Sequence, residues 1–204
     1  MRGRIIKESI DLFDKKGFSK TSIQDIIDTI GVTKGTFYYY FKSKQELLMD
    51  IHLNYIKELL AEQAVILNDE YLSSIVKINK LIHLIIKNIK VHGKSARVFH
   101  REFRHLDDKQ LKLINGYRKE FRINLEKLFD EGIEKGEFRE DLRSDIVIFG
   151  ILGMVNRSYN WYNPDGEVTE EELVSTYMEM ILNGINKNTI TTGHSRGNLS
   201  ESTF

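Results

Sequence analysis

The chain has 204 residues, enough for one large domain or two small ones. Its 30 basic residues balance 30 acidic ones, which excludes a uniformly basic nucleic-acid coat. Without cysteine there is no disulfide, thiolate metal site or thiol catalysis.

A first helix is predicted from about Arg4 to Lys16, with Ile5, Ile6, Ser9, Ile10 and Phe13 as its inner stripe and Gly17 as its stop. Thr21 and Gln24 read as a capping box that opens a second helix. Ile23, Ile26, Ile27 and Ile30 give that helix one apolar face, and Gly31 ends it in a left-handed turn. Thr33 caps a third helix running to about Phe41, anchored only by Phe37 and Phe41. Its other residues, Lys34, Gly35, Thr36, Tyr38, Tyr39 and Tyr40, are small, hydroxylated or basic. Such groups approach phosphates and base edges in a major groove. Two helices joined by a turn of this length make a helix-turn-helix. Ser43 with Glu46 reads as another capping box, opening a long helix. Through Asp50 nine basic residues stand against seven acidic ones, a mildly basic head on a slightly acidic body.

The run Gly31-Val32-Thr33-Lys34-Gly35-Thr36-Phe37-Tyr38, then Tyr40-Phe41, Lys44, Glu46 and Leu47, resembles the N-terminal signature of the TetR family of bacterial transcriptional regulators. Gly17-Phe18 and Thr21-Ser22-Ile23 precede it at the spacing that family uses. One departure is Tyr40, where the family more often has histidine. The resemblance covers roughly the first quarter of the chain. It implies a DNA-binding head at 1–47, an effector-binding and dimerisation body at 48–188, and a homodimer on a double-stranded, palindromic operator. Thr33, Lys34, Gly35, Thr36, Tyr38 and Tyr39 are the expected groove contacts. Thr21 and Ser22, at a helix N-terminus, are expected to favour a phosphate. Tyr40 and Lys44 are expected to hold phosphates, with packing as the alternative for Tyr40.

In the body, a helix is expected from about Ser43 to Leu67, and a second from Leu72 to Val91, ended by His92-Gly93. A third should span Lys94 to Leu106, a fourth, capped by Asp107-Asp108, should reach about Lys135, and a fifth, capped by Ser144, about Tyr162. That fifth helix is apolar nearly all round at first and is expected to be buried on most sides; Gly150 and Gly153 would let another helix approach closely. Thr169 with Glu172 opens the last helix. The count is nine helices in an all-α protein, and 189–204 reads as a disordered tail. By the resemblance, 107–135 and 144–162 form the dimer surface. The longest apolar run, Ile146 to Val155, is far short of the roughly 20 residues of a membrane span, and no apolar signal core is present. A soluble cytoplasmic protein without membrane contact is expected.

Arg97, Arg101 and Arg104 share one helical face, and Arg118 and Arg122 repeat the device on the next helix. Five guanidiniums are candidates for phosphate recognition; the alternative is a solvated face pairing with Glu102, Asp107, Asp108 and Glu120. The stretches around Phe99-x-Arg101-Glu102-Phe103-Arg104 and Gly153-Met154-Val155-Asn156, Tyr159 and Trp161-Tyr162 resemble a TetR subgroup that responds to CoA thioesters. That resemblance adds Phe103, Asn156, Tyr159 and Trp161 to the effector-binding candidates and an acyl-CoA to the partners. A TetR-like regulator of drug or stress response with a hydrophobic ligand is the alternative, and a helical adaptor without DNA binding a further one. None of the six histidines has a metal-ligand spacing such as H-E-x-x-H, and no Gly-rich phosphate loop or nucleophile elbow occurs. Neither metal, cofactor nor enzymatic activity is expected. His100 and His105 read as polar surface residues.

Overall fold

Isoleucines at helical spacing and well-placed caps produce the elements. In the computed structural model, which describes residues 1–185, they are α1 (Arg2–Lys16), α2 (Ile23–Ile30), α3 (Lys34–Tyr40), α4 (Lys44–Leu67), α5 (Ser74–Arg101), α6 (Asp108–Glu134), α7 (Ser144–Arg157) and α8 (Glu170–Ile185). Short 3-10 turns at Phe103–His105 and Ser158–Asn160 follow α5 and α7. The described residues contain no β-strand, so the all-α expectation holds. The tail at 189–204 and the end of the body at 188 lie outside the described residues.

Among the described residues eight α-helices are present, and α5 joins the two helices expected at 72–91 and 94–106 across a kink at His92 (φ −121°, ψ 27°). The backbone there is not helical and Gly93 follows directly, so the break falls where the sequence places it. Three caps differ from expectation. Ser22, not Thr21, caps α2: its hydroxyl accepts from the Asp25 amide while Asp25 accepts from the Ser22 amide. Ser43 caps α4, but Glu46 reaches back to the amide of Lys42 rather than Ser43. Arg143, not Ser144, is the N-cap of α7, and it supplies no side-chain cap. Asp107, by contrast, forms a full capping box with Gln110 at the start of α6.

Two apolar clusters organise the packing. The first joins Ile5 and Phe13 of α1, Ile26 and Ile30 of α2, and Phe37 of α3 to Ile51 and Ile56 of α4. Val98 and Phe99 of α5, Leu106, and Ile114 of α6 complete it. Three short helices bury too little surface to stand alone, and here long helices of the body close their core. The second cluster fills the body, from Ile78, Leu81 and Ile85 through Phe129 and Phe138 to Ile148, Met178 and Ile181. Gly132 permits its tightest approach, since a Cβ there would lie 2.2 Å from the Phe138 ring.

Within the protomer α7 is buried on one side, through Ile148, Ile151 and Val155. Ile146 and Phe149 are about 60% exposed (61% and 60%), as is Met180 of α8 at 60%. A Cβ built at Gly150 or Gly153 meets no atom within 4 Å, so no helix of this protomer uses their bareness.

Candidate DNA interface and effector cavity

The second helix of the helix-turn-helix carries an open polar face. Thr33 caps it, accepting from the Thr36 amide at 3.2 Å. Phe37 and Phe41 sink into the head core and leave Lys34, Gly35, Tyr38 and Tyr39 exposed, with Thr36 half-buried between them. Tyr39 is 82% exposed, its ring edge-on to the half-buried Tyr40 at 4.8 Å. Nothing in the protomer claims the hydroxyls of Tyr38 and Tyr39 among the described residues, which is the condition for reading base edges. A Cβ at Gly35 would make only an ordinary contact, 3.6 Å from Thr33 Oγ1. The packing of the protomer therefore does not require a glycine at this position.

Three expected DNA contacts are otherwise engaged. Thr21 is 1% exposed and donates to the carbonyl of Gly17 at 2.9 Å, tying α2 to the end of α1. Lys44 donates to the carbonyls of Phe18 and Thr21, each at 2.7 Å, and lies 4.2 Å from the Phe18 ring. Burial pulls its ammonium below the usual lysine value. Within the protomer it is a strut inside the head, with two of its three N–H donors engaged. Ser22 is exposed, but its amide already faces the Asp25 carboxylate at 2.8 Å. The Ser22 hydroxyl and amide, with Lys16 behind, hold that carboxyl down to about 2, so the chain's own anion occupies the helix N-terminus.

The five arginines separate into two groups. Arg97 forks onto Asp14 of α1 with hydrogen bonds of 2.8 and 2.7 Å. Arg101 donates to the Asp14 carbonyl at 2.8 Å, and Lys94 reaches Asp11 at 2.8 Å. Desolvation works to raise Asp14, yet the hydrogen bonds and charge of Arg97, with Arg101 and Lys94 beyond, hold it below the ordinary carboxylate value. Arg104 is exposed and makes no ion pair among the described residues. Of these three candidate effector ligands, two pin the lower half of α5 to the head, which is the ion-paired alternative with a different partner. Of the carboxylates expected opposite them, none is the partner, because Asp14 comes from 83 positions away.

Arg118 and Arg122 face a cavity of about 540 Å³ between α4, α5, α6 and α7. Tyr55, Ile56 and Leu59 of α4 and Ile85, Phe99 and His100 of α5 line it. Lys119 and Phe121 of α6, with Phe149, Leu152, Gly153 and Asn156 of α7, close it. Three cations stand on this lining and no carboxylate does. Arg122 pairs with Glu126 and lies over the Phe149 ring. The Arg118 guanidinium lies 4.5 Å from the Phe99 ring and 4.7 Å from Phe103.

Of the remaining candidates, Asn156 lies on the lining and Tyr159 backs it, its ring stacked on His100 at 4.4 Å. Trp161 is 54% exposed and off the lining. His100 is not the surface residue expected. Burial, with the Arg118 charge behind it, pushes it down to about 3, so it is neutral at physiological pH. Tyr55, Phe99 and Leu152 are lining residues that periodicity assigns only to an apolar face.

A helix-turn-helix with an open polar second helix, set on a helical body, defines a DNA-binding transcriptional regulator. Residues 5–51 match the family described as bacterial regulatory proteins, tetR family, and residues 71–185 match the tetracyclin repressor-like C-terminal domain. The chain belongs to the TetR family. It is 26% identical over 185 residues to the HTH-type transcriptional repressor KstR2 of Mycolicibacterium smegmatis, covering 90% of each chain. The ketosteroid transcriptional regulator KstR2 of Mycobacterium tuberculosis superposes with a TM-score of 0.83 at 26% identity, over 91% of this chain and 95% of that one. AibR, solved with isovaleryl coenzyme A and operator DNA, superposes at 0.77 with 25% identity, over 88% and 97%. Among the described residues no helix is long and apolar enough to cross a membrane.

Proposed function

We propose that this protein is a homodimeric repressor that leaves a palindromic operator when a hydrophobic, anionic small molecule, an acyl-CoA thioester or a close analogue, fills the body cavity. The division into a head at 1–47 and a body at 48–188 is part of the same reading. Thr33, Lys34, Gly35, Thr36, Tyr38 and Tyr39 are the groove-facing set, with Tyr40 at its edge and Ser22 beside the backbone.

One observation carries the effector reading: an apolar cavity whose charged lining residues are all cations. Such a wall suits an apolar body joined to phosphate or carboxylate. The relatives point the same way, since KstR2 is described as a transcriptional repressor and AibR is solved with isovaleryl coenzyme A. A ligand without a coenzyme part is the second reading, because about 540 Å³ lies within the roughly 300–1,000 Å³ of pockets that hold a drug-sized molecule alone.

Dimerisation is supported by the exposed Ile146, Phe149 and Met180, and by Gly150 and Gly153, which no helix of the same chain approaches. These residues favour α7 with α8 as the paired surface, rather than 107–135 with 144–162. A two-fold pair would set two α3 helices about one turn of DNA apart, roughly 34–36 Å. The cytoplasm, where chromosomal DNA lies, is the location this reading implies.

The experiment is a titration of the operator complex, formed on the DNA upstream of the protein's own gene, with acyl-CoAs and the matching free acids. Release by acyl-CoAs supports the first reading, and release by neutral hydrophobic compounds alone supports the second. Retention of DNA against both kinds of compound overturns the effector reading.

A further inference from the structure

Arg118 is the anomaly of the cavity wall. The other half-buried arginines on α5 and α6 have carboxylates: Arg97 has Asp14 and Arg122 has Glu126. Arg118 has no ion pair and no hydrogen-bond acceptor among the described residues. It is kept in place by two aromatic faces, Phe99 at 4.5 Å and Phe103 at 4.7 Å. Stacking offsets part of the cost of removing a cation from water, but it engages the flat faces of the guanidinium. Its N–H edges, a fork matched to two oxygens, stay unused.

The neighbours do not supply the missing charge. Burial keeps His100 neutral and raises the Tyr55 phenol above its usual value, so that it stays protonated. His52, buried and giving its Nδ1 proton to the Leu48 carbonyl at 2.9 Å, is pushed down to about 4 and is neutral too. Asn156 and the apolar lining carry no charge. This end of the cavity therefore holds a desolvated cation among neutral groups.

We propose that Arg118 is the anion anchor of the effector: the ligand carries a carboxylate or a phosphate whose oxygens pair with the edge of this guanidinium inside the cavity. The proposal rests on the reading of the cavity as the effector site. It adds that charge on the ligand, not apolar bulk alone, is required, and that Arg118 rather than Arg97, Arg101 or Arg104 reads it.

The test compares wild type, Arg118→Gln and Arg118→Lys for operator release by octanoic and dodecanoic acids, their methyl esters, their CoA thioesters and free CoA. Thermal melts and operator affinity without ligand establish that each variant is folded. Should a variant lose operator affinity, equilibrium dialysis of the same probes against the free protein gives the same comparison. On wild type, the acids or the thioesters act at concentrations at least tenfold below the methyl esters. Arg118→Gln raises the concentration needed for the anionic probes at least tenfold and leaves the esters unchanged, with Arg118→Lys between. Loss confined to the acids identifies a carboxylate as the partner, and loss confined to the thioesters or free CoA a phosphate. Equal response of Arg118→Gln and wild type, or esters as potent as acids on wild type, overturns the assignment of Arg118 alone. No response to any probe overturns the effector reading with it.

Discussion

Arg97 on α5 and Arg118 on α6 are the same residue type on two packed helices, and their surroundings are opposite. Arg97 meets Asp14 across the head–body boundary with two hydrogen bonds. Arg118 meets two aromatic rings and a cavity. A guanidinium thus becomes a structural clamp or a ligand group according to what the other helices place opposite it. The difference also gives α5 two faces below its bend at His92. One grips the head through Lys94, Arg97 and Arg101, and the other presents Phe99 and His100 to the cavity.

Substitutions sharpen that contrast, and the largest effect on stability is expected at the clamp. Arg97→Ala should cost about 1–2 kcal/mol in denaturant unfolding. That is above the ~0–1 kcal/mol of an exposed pair, because the fork is bidentate, and below the ~3–5 kcal/mol of a fully buried one. A variant as stable as wild type would remove the clamp from the account.

The pH dependence follows from the same pair. The folded-state value of Asp14 lies below its ordinary value, so its contribution is complete above the ordinary carboxylate range. That contribution fades as pH falls through the lower, folded value. Melting temperatures measured from neutral pH into acid should therefore fall less steeply for Asp14→Asn than for wild type. Parallel curves would show that the carboxylate adds nothing.

Lys44→Ala comes next, at about 1 kcal/mol, from the loss of hydrogen bonds given by a charged group to two carbonyls. Operator affinity should follow the loss of stability, with the slope of affinity against salt unchanged. A shallower slope would return Lys44 to the phosphate contacts. The smallest effect belongs to Arg104→Ala, within about 0.5 kcal/mol, since the side chain is exposed and unpaired among the described residues. A larger loss in unfolding experiments would expose a partner that the protomer does not contain.

The helix-turn-helix was legible in the sequence because its determinants are local. The isoleucine spacing of α2, the left-handed Gly31 and the cap at Thr33 act within a few residues of one another. Even so, the α2 cap fell one residue from the expected place. Thr21 and Ser22 are both good cap residues, and burial against α1 decides that Thr21 turns inward. The internal role of Lys44 is hidden in the sequence for a related reason: its carbonyl partners lie 26 and 23 positions back, which no spacing rule reports. The cavity was the least legible feature. Its wall takes residues from four helices, and only Arg118, Arg122 and Asn156 among the effector candidates lie on it. Charge type is visible in a sequence, whereas the carboxylate that neutralises one arginine and leaves another free is a property of the fold.

The central claim is that the exposed face of α3 reads DNA. Fluorescence anisotropy on the fragment upstream of the gene, with wild type and a Lys34→Ala/Tyr38→Ala variant, tests it most directly. Both side chains are exposed, so the variant should melt as wild type does. The account predicts a loss of operator affinity of about 1–3 kcal/mol or more, roughly fivefold to over a hundredfold. Unchanged affinity in the variant, or wild-type binding no tighter than to unrelated DNA, would contradict it.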